Sequence, residues 1–573
     1  MKSEERRVKN SMAYVLADNI ISPLGETSEE NYLSVKAGKS GIRTFAPGTL
    51  GIPDGFTASL MFADFEELAY QSAKQALDSS GIDATQDNVV FILSSTKGAV
   101  EKHVGLDESA MRIATRLGIQ TKPIVVCNAC ISGLAALILA SRLLDADAYD
   151  YAVVCGCDTP AKFVISGFQS LKALSTEPCR PFDMERFGLN LGEAAATMVL
   201  GKEKAPWQIG AGSVKNDAFH ISAPSKTAEG LVLALEETLS STDMEKLAFI
   251  NAHGTATLFN DQMESVAISR AGLSDIPANA LKGYFGHTLG AAGILETIIC
   301  MKALDDHVVL GTKGFEELGV SGKMNISAAN RTAETSTFVK MLSGFGGCNA
   351  TLLATQETSM QKEQHCAEEN HLARLHHVKI TPNEVLVDGN ELEIKETADG
   401  ASKLTAVYKQ YIGDYPKYYK MDGLSRLGFV ASELLLRAET EELAEKHQHA
   451  IDRAVILFNR SSSIASDKKY LESISDEDNY FPSPSVFVYT LPNIVSGEIA
   501  IRNGYHGETS FYVLAEKNEA QMQEILQTTF MDAQTKSALT GWLDYEDAGH
   551  YEADLYIVGL CSEGERWNCK TIE

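Results

Sequence analysis

Along the first 358 residues, short unbroken apolar runs alternate with longer stretches in which apolar positions return every three or four residues. The runs "NVVFIL" (88–93), "PIVV" (123–126), "YDYAVVCG" (149–156), "AATMVLG" (195–201) and "LAFINAH" (247–253) predict strands buried on both faces. The stretches "FEELAYQSAKQALDSSG" (65–81), "ISGLAALILASRLLDA" (131–146) and "GILETIICMKALDD" (293–306) predict helices, with Gly or Asp punctuating their ends. Strands alternating with helices in this way build a layered α/β fold.

The alternation stops at "QETSMQKEQHCAEENH" (356–371), which is polar, unpatterned and reads as a linker. A second module, 372–573, follows. It opens with the hairpin pattern "VKITPNEVLVDGNELEI" (378–394), then the helix "DGLSRLGFVASELLLRAE" (422–439) and further strands. No short-period repeat is visible.

Composition narrows the function. The chain has 573 residues, 44% hydrophobic and 22% charged, enough for more than one domain and a large core. A net charge of −27 argues against nucleic acid and anionic membranes, while leaving room for a local basic patch. No window approaches ~18 apolar residues, so no membrane span is expected. The start, "MKSEERRVKNSMAY", lacks the apolar segment of a signal peptide, so a cytoplasmic location is expected. Ten cysteines should then be reduced, and point to metal or catalysis before disulfides.

Cys127 and Cys130 share a C-x-x-C spacing in "VVCNACISGLAAL" (125–137). Structural zinc needs four ligands, and the nearest other pair, Cys155 and Cys157, has poor knuckle spacing in an apolar strand. A redox pair and two inert buried thiols both fit the local pattern. Position favours a nucleophile: Cys130 stands where a strand turns into a helix, and free N–H groups there lower a thiol's pKa. Ala129, Ser132 and Gly133 leave room for a carbonyl to approach. His253, in "FINAHGTATLFNDQMES" (249–265), and His287, in "LKGYFGHTLGAAGILETI" (281–298), lie in strand-end loops, where α/β folds place active sites. The loop "LSGFGGCNATLL" (342–353) has the glycine density of backbone that approaches a ligand closely.

Taken in order, these segments resemble the elongating β-ketoacyl-acyl-carrier-protein synthases of the thiolase superfamily. Ala129-Cys130 matches the family's nucleophile at a helix start. "ISGFQSLKALS" and "CRPFDMERFGLNLGEAAA", around Arg180, Asp183 and Glu193, match the next stretch. His253 through Glu264 match "NAHGTxT…D…E", Lys282 and His287 match "K…GHxxGAAG", and Gly344 to Asn349 match "GFGGxN". "NIISPLGETSEENY" matches the opening, so the resemblance covers 11–358. Cys127 then reads as a neighbour of the nucleophile, not its partner.

The resemblance implies a thiolase-like α-β-α-β-α fold and a decarboxylative Claisen condensation in fatty acid, polyketide or polyene-type synthesis. It implies that Cys130 carries the acyl group and that His253 and His287 stabilise the malonyl-derived enolate. Lys282, with Glu264, would orient the site. The N–H groups of Cys130 and Phe345, between Gly344 and Gly346, would bind the oxyanion. Phe345 would also gate the phosphopantetheine arm held by Thr255 and Thr257. No metal or cofactor of the chain's own is implied, since phosphopantetheine arrives on the acyl-carrier protein. The implied partners are that carrier, acyl and malonyl thioesters, and either a second copy or the chain's own second module as a pseudo-dimer.

Relatives diverge at specific residues. Cys348 stands in the usual Thr position of "GFGGxN", which sets a thiolase-type acyltransferase aside. Starter synthases have Asn where "NAHGT" has His253, and chain-length factors lack the nucleophile. A non-catalytic scaffold or specificity subunit is the competing reading.

Two regions depart from the family pattern. The chain is short between "GIPDGFTASL" and the helix at about 65, where a basic segment is missing, and also before Cys130. "YKMDGLSRLGFVASELLL" (419–436) and "SVFVYTLPNIVSGEIAIRNGYHGETSF" (485–511) resemble the amino-terminal half of a ketosynthase. Family spacing puts that half's nucleophile position at about Glu516, so 372–573 reads as a degenerate, non-catalytic half.

Overall fold

The computed structural model describes residues 13–356, 372–395, 402–439, 451–476 and 479–560. All of the 356–371 linker except Gln356 lies outside the described residues. The first module's main strands are β1 (Ala13–Ile21), β2 (Val89–Ser94), β3 (Ile124–Val126), β4 (Tyr151–Asp158) and β5 (Ala194–Gly201). They continue with β6 (Trp207–Asn216), β7 (Leu247–Asn251), β8 (Pro277–Asn279), β9 (Thr337–Ser343) and β10 (Cys348–Gln356). Its helices include α1 (Phe65–Ser80), α2 (Leu106–Leu117), α3 (Ser132–Asp145), α4 (Glu229–Leu239), α5 (Leu258–Arg270) and α6 (Ala292–Asp305).

Two sheets result. In the first, β2 lies parallel between β3 and β4, and β5 and then β1 follow antiparallel. In the second the order is β8–β7–β9–β10–β6, parallel as far as β9 and antiparallel beyond it. Helices α3 and α6 are buried on nearly every side and pack between the sheets, which is why their sequences show no polar face. Helix α1 buries one stripe (Phe65, Leu68, Ala69, Ala73, Ala76, Leu77) on the outer face of the first sheet. Asp64 caps its start by accepting from Glu67 N–H, and Gly81, at φ 74°, ends it. Helix α4 covers the outer face of the second sheet. The layers run α-β-α-β-α.

The second module repeats half of this plan. Its strands are β11 (Leu372–Ile380), β12 (Arg453–Asn459), β13 (Thr509–Val513), β14 (Ser537–Asp547) and β15 (His550–Leu560). Its helices include α7 (Gly423–Ala438), α8 (Ile464–Ser475), α9 (Ile494–Asn503) and α10 (Glu519–Thr529). The order β13–β12–β14–β15–β11, with its directions, is that of β3–β2–β4–β5–β1. The two sheets join edge to edge: β3 and β13 pair antiparallel, Val125 with Val513 and Val126 with Tyr512, the register of an approximate two-fold axis. Ion pairs cross this seam, among them Lys97–Asp467 at 2.6 Å, Arg142–Glu508 at 2.8 Å and Lys215–Asp532 at 2.9 Å. Among the described residues, no helix is long and apolar enough to cross a membrane.

Candidate active site

After β3 the chain makes one tight turn, Ala129–Ile131, and enters α3 at Ser132. Ala129 is held at φ 49°, a strained value for a residue with a Cβ. Ser132 staples the turn: its hydroxyl accepts from Asn128 N–H at 2.8 Å and donates to the Ala129 carbonyl at 2.6 Å. Cys130 is left half-buried at the apex. Cys127 is fully buried, and its thiol donates to the Thr96 carbonyl. Cys155 and Cys157 donate to the carbonyls of Ala69 and Phe65, so each of these thiols has its own partner and no zinc knuckle forms among them.

Glycines bring the second wall in. A Cβ on Gly133 would stand 2.7 Å from the Gly290 carbonyl, and one on Gly293 would stand 2.4 Å from Leu134 N. Only bare backbone lets the His287 loop meet the start of α3 this closely. His287 Nδ1 accepts from Leu289 N–H at 3.3 Å, which leaves the ring's proton on Nε2. His253 follows β7. Glu264, on α5, fixes its loop by accepting from the N–H groups of His253 (2.6 Å) and Gly254 (2.8 Å). The two rings meet edge to face with centroids 4.9 Å apart. Ligating atoms of Cys130, His253 and His287 all lie within 4.8 Å of one another.

Lys282, expected to orient the site with Glu264, has another carboxylate as its ion-pair partner. Its ammonium pairs with Glu296 at 2.7 Å, and Lys340 pairs with the same carboxylate at 2.6 Å. Two lysines against one carboxylate leave one net positive charge in a dry interior. Burial first, and then this charge, hold both imidazoles well below their usual pKa, so they rest neutral. Burial pushes the Glu264 carboxyl up to about 7, with Asp261 adding to it.

The expectation of an acidic thiol at the helix start is corrected. Burial pushes Cys130 up to about 12, and Lys282 opposes it only in part. The resting group is a neutral thiol.

The loop 344–349 closes the site from a third side. A Cβ on Gly344 would lie 3.3 Å from Cys130 N, so this loop runs directly past the nucleophile's backbone. Phe345 stacks on Phe168, and its carbonyl accepts from Asn493 Nδ2 at 2.8 Å. Gly346, at φ 89°, packs against the same Asn493. Thr255 and Thr257 hydrogen-bond each other at 2.9 Å just beyond His253. The cleft at Cys130 is walled by Lys97, Val164, Phe168, Leu289 and Phe345, and by Phe487, Thr490 and Leu491 of the second module. It measures about 20 Å³, room for about one water.

The sequence reading missed Glu296, Lys340, Asn493 and Phe487. A Lys inside "FVKML" and a Glu inside "GILETII" break apolar runs, and that was the available signal. Nothing local marks Asn493 or Phe487, which reach the site only through the pairing of the modules.

Two family models match: "Beta-ketoacyl synthase, N-terminal domain" over residues 55–205 and "Beta-ketoacyl synthase, C-terminal domain" over 208–316. Residues 55–316 thus match both domains of the β-ketoacyl synthases. The matched span holds Cys130, His253, Glu264, Lys282 and His287, and stops before the Phe345 loop. The 3-oxoacyl-(acyl-carrier-protein) synthase 2 of Vibrio cholerae is 29% identical over 403 residues, covering 58% of this chain and 96% of the relative. The ketoacyl synthase alpha subunit of the tetracenomycin polyketide synthase, from Streptomyces glaucescens, is 29% identical over 349 residues, 51% of this chain and 81% of the relative. Among solved structures, "PfaC Keto synthase-Chain length factor" superposes with a TM-score of 0.75 at 14% identity, over 96% of this chain and 78% of that one. The ishigamide ketosynthase/chain length factor gives 0.56 at 21% identity, over 61% of this chain and all of that one. At these identities the structural likeness is one of fold.

The ends of the elements give a position to compare with Cys130. Strands β3 and β13 end at Val126 and Val513, and α3 and α10 begin at Ser132 and Glu519. Lys517 stands two residues before its helix, as Cys130 does, one residue beyond the Glu516 expected from spacing. Its ammonium is paired with Glu552 at 2.9 Å and with Asp554.

Proposed function

We propose that residues 13–356 catalyse decarboxylative Claisen condensation of an acyl thioester with a malonyl-acyl-carrier protein, in fatty acid or polyketide synthesis. We propose further that residues 372–560 form a non-catalytic pseudo-partner that completes the site. The observation that carries the reading is the convergence of a half-buried cysteine, presented by the strained Ala129 turn, and two neutral imidazoles inside a positively biased interior.

In the first step the acyl group moves from the carrier's thiol to Cys130 Sγ, and the carrier leaves as free thiol. Because Cys130 rests protonated, its proton must leave as the thioester is attacked, and the imidazoles beside it are the neutral groups within reach. The oxyanion lies where Cys130 N and the Phe345 loop face each other, and each such donor is worth roughly 3 kcal/mol. In the second step malonyl thioester loses CO₂, leaving an enolate. His287, its Nε2 proton free to donate, and His253 hold the thioester oxygen. The net positive charge of Lys282, Glu296 and Lys340 favours the anion. The enolate carbon then attacks the acyl carbonyl, and Cys130 leaves as thiolate.

The pseudo-partner reading is supported by the repeated strand order, by Lys517 in step with the nucleophile, by Phe487, Thr490 and Leu491 walling the first module's cleft, and by Asn493 holding the Phe345 carbonyl. The carrier is expected at a basic patch on the second module. Lys417 and Lys420 are exposed, and Arg426 donates to the Tyr418 and Tyr419 carbonyls. Lys417 lies near enough to His220 to help burial lower that imidazole's pKa. The next residue, Ile221, accepts from Gly346 N–H. The patch thus borders the Phe345 loop.

The test is mass spectrometry of the full chain after exposure to acyl-carrier protein, followed by malonyl-carrier. An acyl adduct on Cys130 that disappears as a β-ketoacyl carrier forms is the expected result. An adduct on another cysteine, or none, refutes the assignment.

A further inference from the structure

Next to the Cys130 cleft lies a cavity of about 400 Å³, within the size range of small-molecule sites. The two share Lys97, Val164 and Leu289, which stand between them. Beyond these residues most of the accessible wall is apolar, with Phe65, Ala99 and Phe163 in it. The charged groups in the walls are already engaged. Glu101 accepts from Phe163 N–H at 2.7 Å. Glu193 accepts from the N–H groups of Met61, Phe62 and Ala63 at 2.6–2.8 Å. Asp158 accepts from Ser95, Thr96 and Gly290, and Lys97 is paired with Asp467. A cavity with apolar walls and satisfied polar groups suits a hydrocarbon.

Its far end meets water. Phe62 there is 50% exposed, and an ion pair between Lys102 and Asp64 lies beside it, with the Lys102 side chain 65% exposed. Phe62 sits at φ 63°, a costly value for an aromatic residue, and the Glu193 cradle holds it there with its ring edge-on to Phe45 at 5.5 Å. The alignment with the Vibrio cholerae relative runs over 403 residues but occupies 58% of this 573-residue chain, so part of it faces gaps in this chain. The segment before α1, which forms this rim, is one of the places where the chain is short.

We propose that the acyl pocket has a second mouth. The chain attached to Cys130 passes between Val164, Leu289 and Lys97, fills the 400 Å³ cavity, and brings its distal end to solvent beside Phe62 and the Lys102–Asp64 pair. The substrate class is long acyl groups whose distal end is polar or bulky. This rests on the condensing reading above.

The experiment compares acylation of Cys130, by intact mass of the full chain, from pantetheine thioesters of butyrate, dodecanoate and ω-carboxydodecanoate. A pocket with a second mouth accepts the carboxylate tip within about threefold of the methyl tip. A blind pocket would have to bury a charge and would discriminate by more than about 100-fold. Ala161→Trp, which places a large ring on the cavity wall, should lower the dodecanoyl-to-butyryl ratio at least tenfold; Ala99→Phe repeats the test should that variant not fold. Rejection of the carboxylate tip while butyryl transfers normally, or an unchanged ratio in both variants, overturns the proposal. Absence of butyryl transfer overturns the condensing reading, and this proposal with it.

Discussion

Replacing Glu296 by Gln tests the charge arrangement behind the site. The carboxylate lies 2.7 Å from the Lys282 ammonium and 2.6 Å from that of Lys340, and all three side chains are at most 2% exposed. The substitution takes the cluster from one net positive charge to two, with no water to screen them. Unit charges ~4 Å apart at an effective dielectric of ~20 interact by ~4 kcal/mol. Removing one partner from a buried ion pair costs about 3–5 kcal/mol. The Gln carbonyl keeps one hydrogen bond, so a loss of about 4 kcal/mol is expected. Equilibrium urea unfolding reads it, followed through Trp207, which packs against Phe338 on the strand that carries Lys340. The double variant E296Q/K340M returns the cluster to one positive charge and should recover at least about 2 kcal/mol. A single variant within about 1 kcal/mol of wild type, or a double variant less stable than E296Q, would refute the account.

Iodoacetamide should modify Cys130 ahead of Cys127, with a rate that climbs about tenfold per pH unit from 7 to 9, because the thiol's pKa is pushed up to about 12; preferential labelling of Cys127 would reject the nucleophile. His253→Ala or His287→Ala should slow malonyl decarboxylation by about 100-fold or more while some self-acylation of Cys130 persists, and near-normal condensation would exclude the enolate role. Both imidazoles are held below 6.5, so their protonation is delayed to lower pH and decarboxylation should stay level from pH 7.5 to 6; a fall with its midpoint at 6.5 would contradict this. Reversing Lys417, Lys420 and Arg426 to Glu should raise KM for acyl-carrier protein and spare reactions of free pantetheine thioesters; unchanged carrier kinetics would remove the docking role.

What could be read in the sequence was what local patterning controls. The buried strands and the apolar helices α3 and α6 are periodicity and composition, and Cys130, His253 and His287 lie in loops whose small residues announce close approach. What could not be read is tertiary pairing. That Lys282 pairs with Glu296 could not be read, because the distance depends on how α6 crosses the turn 282–285. The thiol's pKa went the other way because a helix start is local, whereas the burial that outweighs it comes from the loop 344–349 and from the second module. Asn493 and Phe487 stand in a segment read as a degenerate fragment, and nothing in it says which residues face a site in the other module.

The seam between the modules bears on whether the first module's partner is a second copy or its own second half. Strand β13 already occupies the edge of β3 that a second copy would need. The charges are also unequal across the approximate two-fold. With α3 and α10 beginning in step at Ser132 and Glu519, Thr121 is the counterpart of Glu508, so in a second copy Arg142 would face Thr121 in place of Glu508. That change leaves a buried cation without its carboxylate, at a cost of several kcal/mol. On the proposed reading, the second module lost its nucleophile but acquired the charges that make it the preferred partner, and specificity arises from the penalty on the alternative as much as from the pairs formed.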